Sequence, residues 1–439
     1  MRDHRPTSMS IKMELYIHIP FCVKKCNYCD FLSFPGYGCD ADERHRSLSC
    51  DYVDALLREI EEITNRFKCQ KFETCFIGGG TPSVLDVREA EKLLACIRNC
   101  VFPETGKNED HIYNISNKIE FTIECNPGTL TREKLLLYKK YGVNRLSLGL
   151  QSADNNILKK LGRIHTYGEF LESYKLAREC GFNNINVDLI SAVPGQTLDN
   201  WKDTLEKVVS LSPEHISAYS LILEEGTPLF DDYEKNPGSL NLPDEDAERE
   251  IYHITEKILN ENGYHRYEIS NYAKPGFECR HNIGYWTGEE YIGTGLGAAS
   301  YLSSENCRSL LNKSFAAPNM IRIKNTEDLH IYISRFSDKG KDSAGRENSG
   351  INQEVRSVEE VLDTASQMSE YCILGLRMCR GISRSDFSKR FGKDVYEVFG
   401  DIIRKHIDDK LLKEEDGYIR CTQKGLDLNN TVLCDFLDV

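Results

Sequence analysis

Between residues 14 and 223, short runs rich in Ile, Leu and Val alternate with longer segments whose apolar residues recur every three or four positions. The period-2 and period-3.6 patterns predict strands over 14–19, 72–77, 119–124, 145–150, 184–190 and 215–223. They predict helices from Asp51 to Phe67, from Asp86, and over 132–141, 169–180 and 199–211. Thr131 is a good N-cap for the third of these, and Gly142 a good C′ residue. Strand–helix units in series bury their apolar faces best as a parallel sheet with helices outside. The polar residues Cys22, Gly79, Glu124, Gln151 and Asp188 all fall at C-terminal strand ends. That rim is where α/β barrels build their active sites.

The first strand runs into Tyr16-Ile17-His18-Ile19-Pro20-Phe21-Cys22-Val23-Lys24-Lys25-Cys26-Asn27-Tyr28-Cys29-Asp30-Phe31. Three cysteines in C-x3-C-x2-C spacing can hold three corners of a [4Fe–4S] cluster and leave one iron open. Pro20 ends the strand and lets the chain turn into a loop. A structural zinc site wants four ligands in two halves, and no second half follows. A redox pair and three unrelated buried thiols are the other plain alternatives. The cluster reading is preferred because it accounts for the strand, the proline and the aromatic Tyr28 together.

The 439 residues suffice for one large unit and a smaller one, and 40% apolar content supplies a core. A net charge of −14 argues against a general DNA or RNA binder. The 17 cysteines form no disulfide framework and fit a reducing compartment. No apolar run is long enough for a membrane span. Residues 1–12 read as a polar extension without a secretory signal. The expected location is therefore the cytoplasm.

Two polar stretches, 36–49 and 103–118, read as exposed insertions. After Leu223 the alternation stops. Residues 242–263 read as one helix and 264–272 as one strand. The division expected is a barrel over 13–230, an extension over 231–337, a flexible linker over 338–365 and a last unit over 366–439. In that last unit, helices and a small hairpin around Asp416-Gly417 suggest a winged helix. Lys plus Arg number 12 and Asp plus Glu 13 between Ser369 and Val439, so it has no basic excess for DNA. A protein-contact or lid role is expected instead.

Gly78-Gly79-Gly80-Thr81-Pro82 at a strand end lets the backbone approach a ligand closely. By itself a glycine-rich turn is weak evidence. Glu124, Gln151, Arg163 and Asp188 supply acceptors and a cation, and each one singly could be a rim salt bridge or a cap. His281-Asn282-Ile283-Gly284-Tyr285-Trp286 places an imidazole among aromatics, which suits a haem ligand or, more commonly, a hydrogen-bonded core histidine. His18 and His165 read as structural.

The cysteine loop, with an aromatic directly before its last cysteine, resembles the signature of the radical S-adenosylmethionine (SAM) superfamily. Tyr-Ile-His-Ile-Pro-Phe-Cys resembles in particular the group holding the oxygen-independent coproporphyrinogen III dehydrogenase and the haem chaperone (HemW-like). The resemblance covers residues 16–300 strongly and the C-terminal unit more loosely. It implies a partial (β/α)6 barrel with a C-terminal, mainly helical, winged-helix-like domain. It implies a [4Fe–4S] cluster on Cys22, Cys26 and Cys29, and SAM contacts from Tyr16, Tyr28, Gly79, Gly80, Thr81, Glu124, Gln151, Arg163, Asp188, Ile222 and Ala299. It implies haem at His281, through H-N-x-x-Y-W.

The dehydrogenase carries a fourth cysteine two residues after the third, where this chain has Phe31. The chaperone group has Asp-Phe there and the H-N-x-x-Y-W motif. Both features point to the chaperone, with haem, haem-accepting proteins and an electron donor as partners. SAM-dependent oxidative decarboxylation of coproporphyrinogen is the enzyme alternative, and no catalytic residue is assigned. RNA modification by a radical SAM enzyme is a third reading, disfavoured by the acidic balance.

Overall fold

The computed structural model describes residues 12–38, 40–67, 70–103, 119–236, 238, 240–336 and 355–437. Six strands, β1 (Lys12–Ile19), β2 (Lys71–Gly79), β3 (Glu120–Cys125), β4 (Arg145–Gln151), β5 (Ile185–Ser191) and β6 (His215–Ser220), lie side by side in chain order and parallel. Each crossover carries a helix, and the side-chain oxygens of Asp86, Thr131, Thr166 and Thr197 cap the helices that follow them. This is the expected partial (β/α)6 arrangement, open rather than closed.

Successive strand residues point to opposite faces. Leu15, Ile17, Ile19, Cys75, Ile77, Phe121 and Ile123 are buried against the helices in the main core. The other face carries Glu14, Tyr16 and His18 from β1, Thr74 and Phe76 from β2, and Glu124, Ser147, Asp188 and Ser217 from the strands beyond. The barrel interior is therefore polar along its length, not only at the strand ends.

The sheet grows at both edges. Beyond β6, β7 (His265–Arg266) and β8 (Asn271–Ala273) form an antiparallel hairpin. The single strand expected over 264–272 thus folds back at a turn where Glu268 accepts from the Ser270 N–H at 3.2 Å. Beyond β1, β9 (Glu290–Thr294) pairs parallel, and β10 (Ala299–Ser303), β11 (Met320–Asn325) and β12 (Arg356–Leu362) continue antiparallel. Twelve strands of the described residues thus share one sheet.

Three expectations change here. The helix placed from Asp51 begins at Glu43 and runs to Arg66, capped by Asp42, whose carboxylate accepts from the His45 N–H at 2.8 Å. Tyr37, within the stretch read as an exposed insertion, is buried against Phe21 with ring centroids 4.2 Å apart. Of the expected linker over 338–365, residues 356–362 are a sheet strand, and the helix Thr364–Gly375 follows directly. The rest of that linker up to residue 354, like insertion residues 104–118, lies outside the described residues.

The last unit has its own core, with Phe387, Phe399, Ile403 and Phe436 buried together. Its small sheet of β13 (Ile382–Ser383), β14 (Leu412–Glu415) and β15 (Tyr418–Cys421) has the order β13-β15-β14. It packs against the N-terminal side of the barrel. Arg390 donates to the Thr287 and Gly288 carbonyls at 3.3 and 3.2 Å, and the Cys379 N–H donates to Tyr267 O at 2.9 Å.

Candidate functional site

The cysteine loop leaves β1 at the C-terminal rim and is pinned by backbone bonds on both sides. Cys22 N–H donates to Phe34 O at 2.9 Å and Phe34 N–H to Pro20 O at 2.7 Å. Asn27 docks the far side: its N–H reaches Leu161 O at 3.0 Å and its amide reaches Lys160 O at 3.0 Å. Gly162 has φ +75°, and a Cβ there would come within 2.7 Å of Asn27 Oδ1, so only glycine fits.

The three thiols sit on one loop, near enough to feel one another's charge. Burial pushes the Cys29 thiol up to about 11, with Cys26 and Cys22 both adding to the rise. Burial also raises Cys22, against hydrogen bonds from Thr81 and Ser33. Arg163 brings a cation to this cluster. One guanidinium N–H lies 3.4 Å from Cys26 Sγ, and another donates to Asn126 Oδ1 at 2.6 Å and Gly149 O at 2.8 Å.

The glycine turn ends β2 beside the loop. Gly80 N–H donates to Ile19 O and Thr81 N–H to Phe21 O, both at 2.8 Å. Gly79 has φ +110°, and a Cβ on it would sit 2.5 Å from the His18 ring. Its N–H donates to Glu124 Oε2 at 3.1 Å. Burial, and next the nearby Asp188, push the Glu124 carboxyl up to about 8. Asp188 accepts from Ser147 Oγ and from Asn186 Nδ2, each at 2.8 Å.

The expected SAM residues are thus largely drawn to one rim. Tyr16 faces the interior, its ring 6.4 Å from Phe76, and its hydroxyl lies 3.1 Å from His18 Nδ1. Tyr28 is half-buried beside Ile157, Leu161, Ile190, Val193 and Leu229. Gln151 ends β4 with φ +67°, a conformation strained for a residue with a Cβ. Ile222 lies past the end of β6 and is 68% exposed, and Ala299 opens β10 and is also exposed. Among the described residues no side-chain hydrogen bond or ring contact ties these two to the other expected SAM residues.

His281 is elsewhere. Its partners, Thr74, Glu14 and Glu120, sit toward the N-terminal ends of their strands, opposite the rim. Nδ1 lies 2.7 Å from Thr74 Oγ1, and Nε2 lies 3.0 Å from Tyr285 OH. The ring stacks on Phe76 at 5.1 Å, is 1% exposed, and burial lowers its pKa to about 3. Both nitrogens are occupied and the imidazole is neutral. The haem-ligand expectation for His281 meets a core histidine, which would have to break one of these bonds to bind iron. His165 is likewise buried, with Nε2 3.2 Å from Leu150 O. His18, read as structural, has a definite place: its Nε2 lies 2.8 Å from Leu32 O and holds the return of the cysteine loop.

Asn126 escaped the sequence reading. Its amide donates to Thr81 Oγ1 at 2.7 Å while its oxygen accepts from Arg163, so it joins the glycine turn to the cation. The signal was Asn126-Pro127-Gly128, which reads equally well as a plain turn.

The residues present fit a cluster with an amino-acid-bearing cofactor. Three thiols on one loop could supply iron ligands. Gln151 Oε1 and Arg163 Nε are buried with no hydrogen-bond partner, as polar atoms awaiting a ligand would be.

Comparison with known proteins agrees with this geometry. Residues 16–208 match the radical SAM superfamily and residues 362–428 match the HemN C-terminal domain. The chain is 36% identical over 422 residues to the haem chaperone HemW of Lactococcus lactis subsp. lactis (strain IL1403), covering 96% of each chain. It is 33% identical over 422 residues to HemW of Bacillus subtilis (strain 168), covering 96% of this chain and 98% of that one. In fold it is similar to the coproporphyrinogen III oxidase HemN of Escherichia coli, a radical SAM enzyme. There the TM-score is 0.73 at 20% identity, over 97% of this chain and 90% of that one.

Proposed function

The chain belongs to the HemW haem-chaperone family of radical SAM proteins, and from that premise we propose that it binds haem and delivers it to haem-requiring proteins. The observation that carries the reading is the cysteine loop itself. Three cysteines share one loop, Cys26 lies 3.4 Å from Arg163, and Phe31, 62% exposed, stands where the dehydrogenase group has a fourth cysteine.

Cys22, Cys26 and Cys29 would hold a [4Fe–4S] cluster, and SAM would bind beside it. Backbone groups of Gly79, Gly80 and Thr81 would receive SAM's amino end, and Arg163 would supply the cation for its carboxylate. Glu124, Gln151 and Asp188 offer acceptors for its hydroxyls, and Tyr16 and Tyr28 wall the space. Ile222 and Ala299 complete the proposed set at the exposed edge. When bound, the pair supplies one-electron reductive chemistry, for which an electron donor is a required partner. The rim's buried polar groups hold Gly79, Thr81 and Asp188 in place and limit water.

Among the described residues no helix is long and apolar enough to cross a membrane. The cytoplasm is the proposed location, and no nucleic acid is among the proposed partners.

The reading is tested by mixing haem-loaded, cluster-reconstituted protein with a haem-free acceptor enzyme under anaerobic conditions. The expected result is acceptor activity that rises with time. An acceptor that stays inactive while free haem activates it would defeat the chaperone reading. In parallel, Cys26→Ala is expected to lose the broad visible absorbance of the reconstituted cluster, and retention would contradict the ligand assignment.

A further inference from the structure

Away from the rim, one group among the described residues brings metal-binding atoms together. A carboxylate oxygen of Glu61 and the sulfurs of Cys96 and Cys100 all lie within 4.8 Å of one another. Glu61 is near the end of the helix Glu43–Arg66, and both cysteines are in the last two turns of the helix Val87–Cys100. These helices form the crossovers from β1 to β2 and from β2 to β3, and they pack against each other outside the sheet.

The sequence dictates this placement. Positions four apart share a helix face, so Cys96 and Cys100 stand one above the other. That face meets the neighbouring helix, where the Cys96 thiol donates to Leu57 O at 3.7 Å. The buried stripe of Ala90, Leu93, Leu94 and Ile97 runs beside it. The two sulfurs are left half-buried and Glu61 exposed, so an ion can enter from solvent without the helices parting.

The chemistry narrows the occupant. Cβ atoms four apart on a helix are about 5–6 Å apart, and a disulfide needs about 3.5–4.5 Å, so an intact helix keeps this pair reduced. The thiols hydrogen-bond each other, and Thr64 bonds Cys100, so the sulfurs already face one another. The Glu61 carboxylate forms no ion pair among the described residues, and both thiols feel its charge. Cys100 is the last helical residue, where unpaired carbonyls add partial negative charge. The group is therefore short of a cation. Two thiolates favour thiophilic ions over Mg²⁺ or Ca²⁺, and a carboxylate as third ligand favours Zn²⁺ over Cu(I).

We propose that Cys96, Cys100 and Glu61 bind one Zn²⁺, with solvent as fourth ligand, and that the ion ties the two helices together. On binding, each thiol releases its proton to solvent as its sulfur bonds the metal, and Glu61 supplies a carboxylate oxygen. No electron changes hands. Both helices run from the rim back toward the N-terminal strand ends, so their last turns lie at the end opposite the cysteine loop. The site is separate from the cluster and independent of haem.

The test adds Zn²⁺ to the full cluster-reconstituted chain. Affinity is read by competition with a chromophoric chelator, and ligands by zinc X-ray absorption. The expected result is one zinc held through two sulfurs at about 2.3 Å, with oxygen completing the shell. Cys96→Ser combined with Cys100→Ser is expected to lose this zinc, with iron content and cluster absorbance unchanged. Glu61→Gln is expected to bind it about tenfold more weakly. A chain that takes up no zinc, or the same two-sulfur zinc persisting in the double variant, would overturn the proposal. Thiol alkylation of the unmodified chain is independent of variant folding. Zinc is expected to shield Cys96 and Cys100, and equal labelling of both with and without zinc would also overturn it.

Discussion

At neutral pH Glu14 holds a proton that an exposed glutamate would have lost. Its carboxyl is removed from water beside His281 and Gly284, and burial, the largest cause, raises its pKa to about 9, with Glu120 adding to it. The folded state thus binds this proton more tightly than the unfolded chain. The stability it contributes is complete below about pH 4.5 and declines as pH rises through 9, by at most about 1.4 kcal/mol per pH unit. Glu14→Gln is therefore expected to lose less thermal stability than the unmodified chain between pH 6 and 9. Melting curves that stay parallel across that range would contradict the buried, protonated state. At this scale the rim position of the cysteine loop and of Glu124 was legible from spacing and strand end, whereas Asp188, expected at a strand end, lies in the middle of β5. His281 was not, because imidazole among aromatics looks the same in sequence whether its nitrogens are free or taken. In the fold the Thr74 and Tyr285 hydroxyls take both nitrogens.

Local elements depend on a few positions of fixed chemistry. Gly79 must hold φ +110° against the His18 ring, and its N–H must reach Glu124. Gly79→Ala adds a conformational cost of roughly 1–2 kcal/mol before any clash. It is expected to weaken SAM binding measured by calorimetry while far-UV dichroism stays native. Unchanged SAM affinity would remove Gly79 from the site. Asp42 begins the helix Glu43–Arg66, and Asp42→Ala is expected to cost about 1 kcal/mol in denaturant unfolding. The helix start is not marked in the sequence, because 36–49 is rich in charge and the apolar stripe begins only near Tyr52. The strand over 264–272 was misread for a related reason. Alternating aromatic and polar residues fit a strand, and the Glu268–Ser270 turn leaves no glycine or proline to mark it.

Across the whole molecule, the six-fold alternation was enough to specify the parallel order β1 to β6, because each strand pairs with the next in sequence. The extension through β9 to β12 was not legible. It rests on β1 pairing with a strand more than 270 residues later, Met13 opposite Glu290, and nothing local encodes that partner. The pairing matters for function, because it carries the helix Arg280–Thr287 onto the barrel floor and the C-terminal unit over it. The account thus has two ends, a rim built for a cluster with SAM and a floor covered by the C-terminal unit. Its central claim is that the chain carries haem and does not make porphyrin. The most direct measurement is an anaerobic incubation of reconstituted protein with coproporphyrinogen III, SAM and a strong reductant, with haem binding followed in parallel. The account predicts a haem spectrum and no protoporphyrinogen. Steady formation of protoporphyrinogen would contradict it and make Phe31 an immaterial departure from the dehydrogenase pattern.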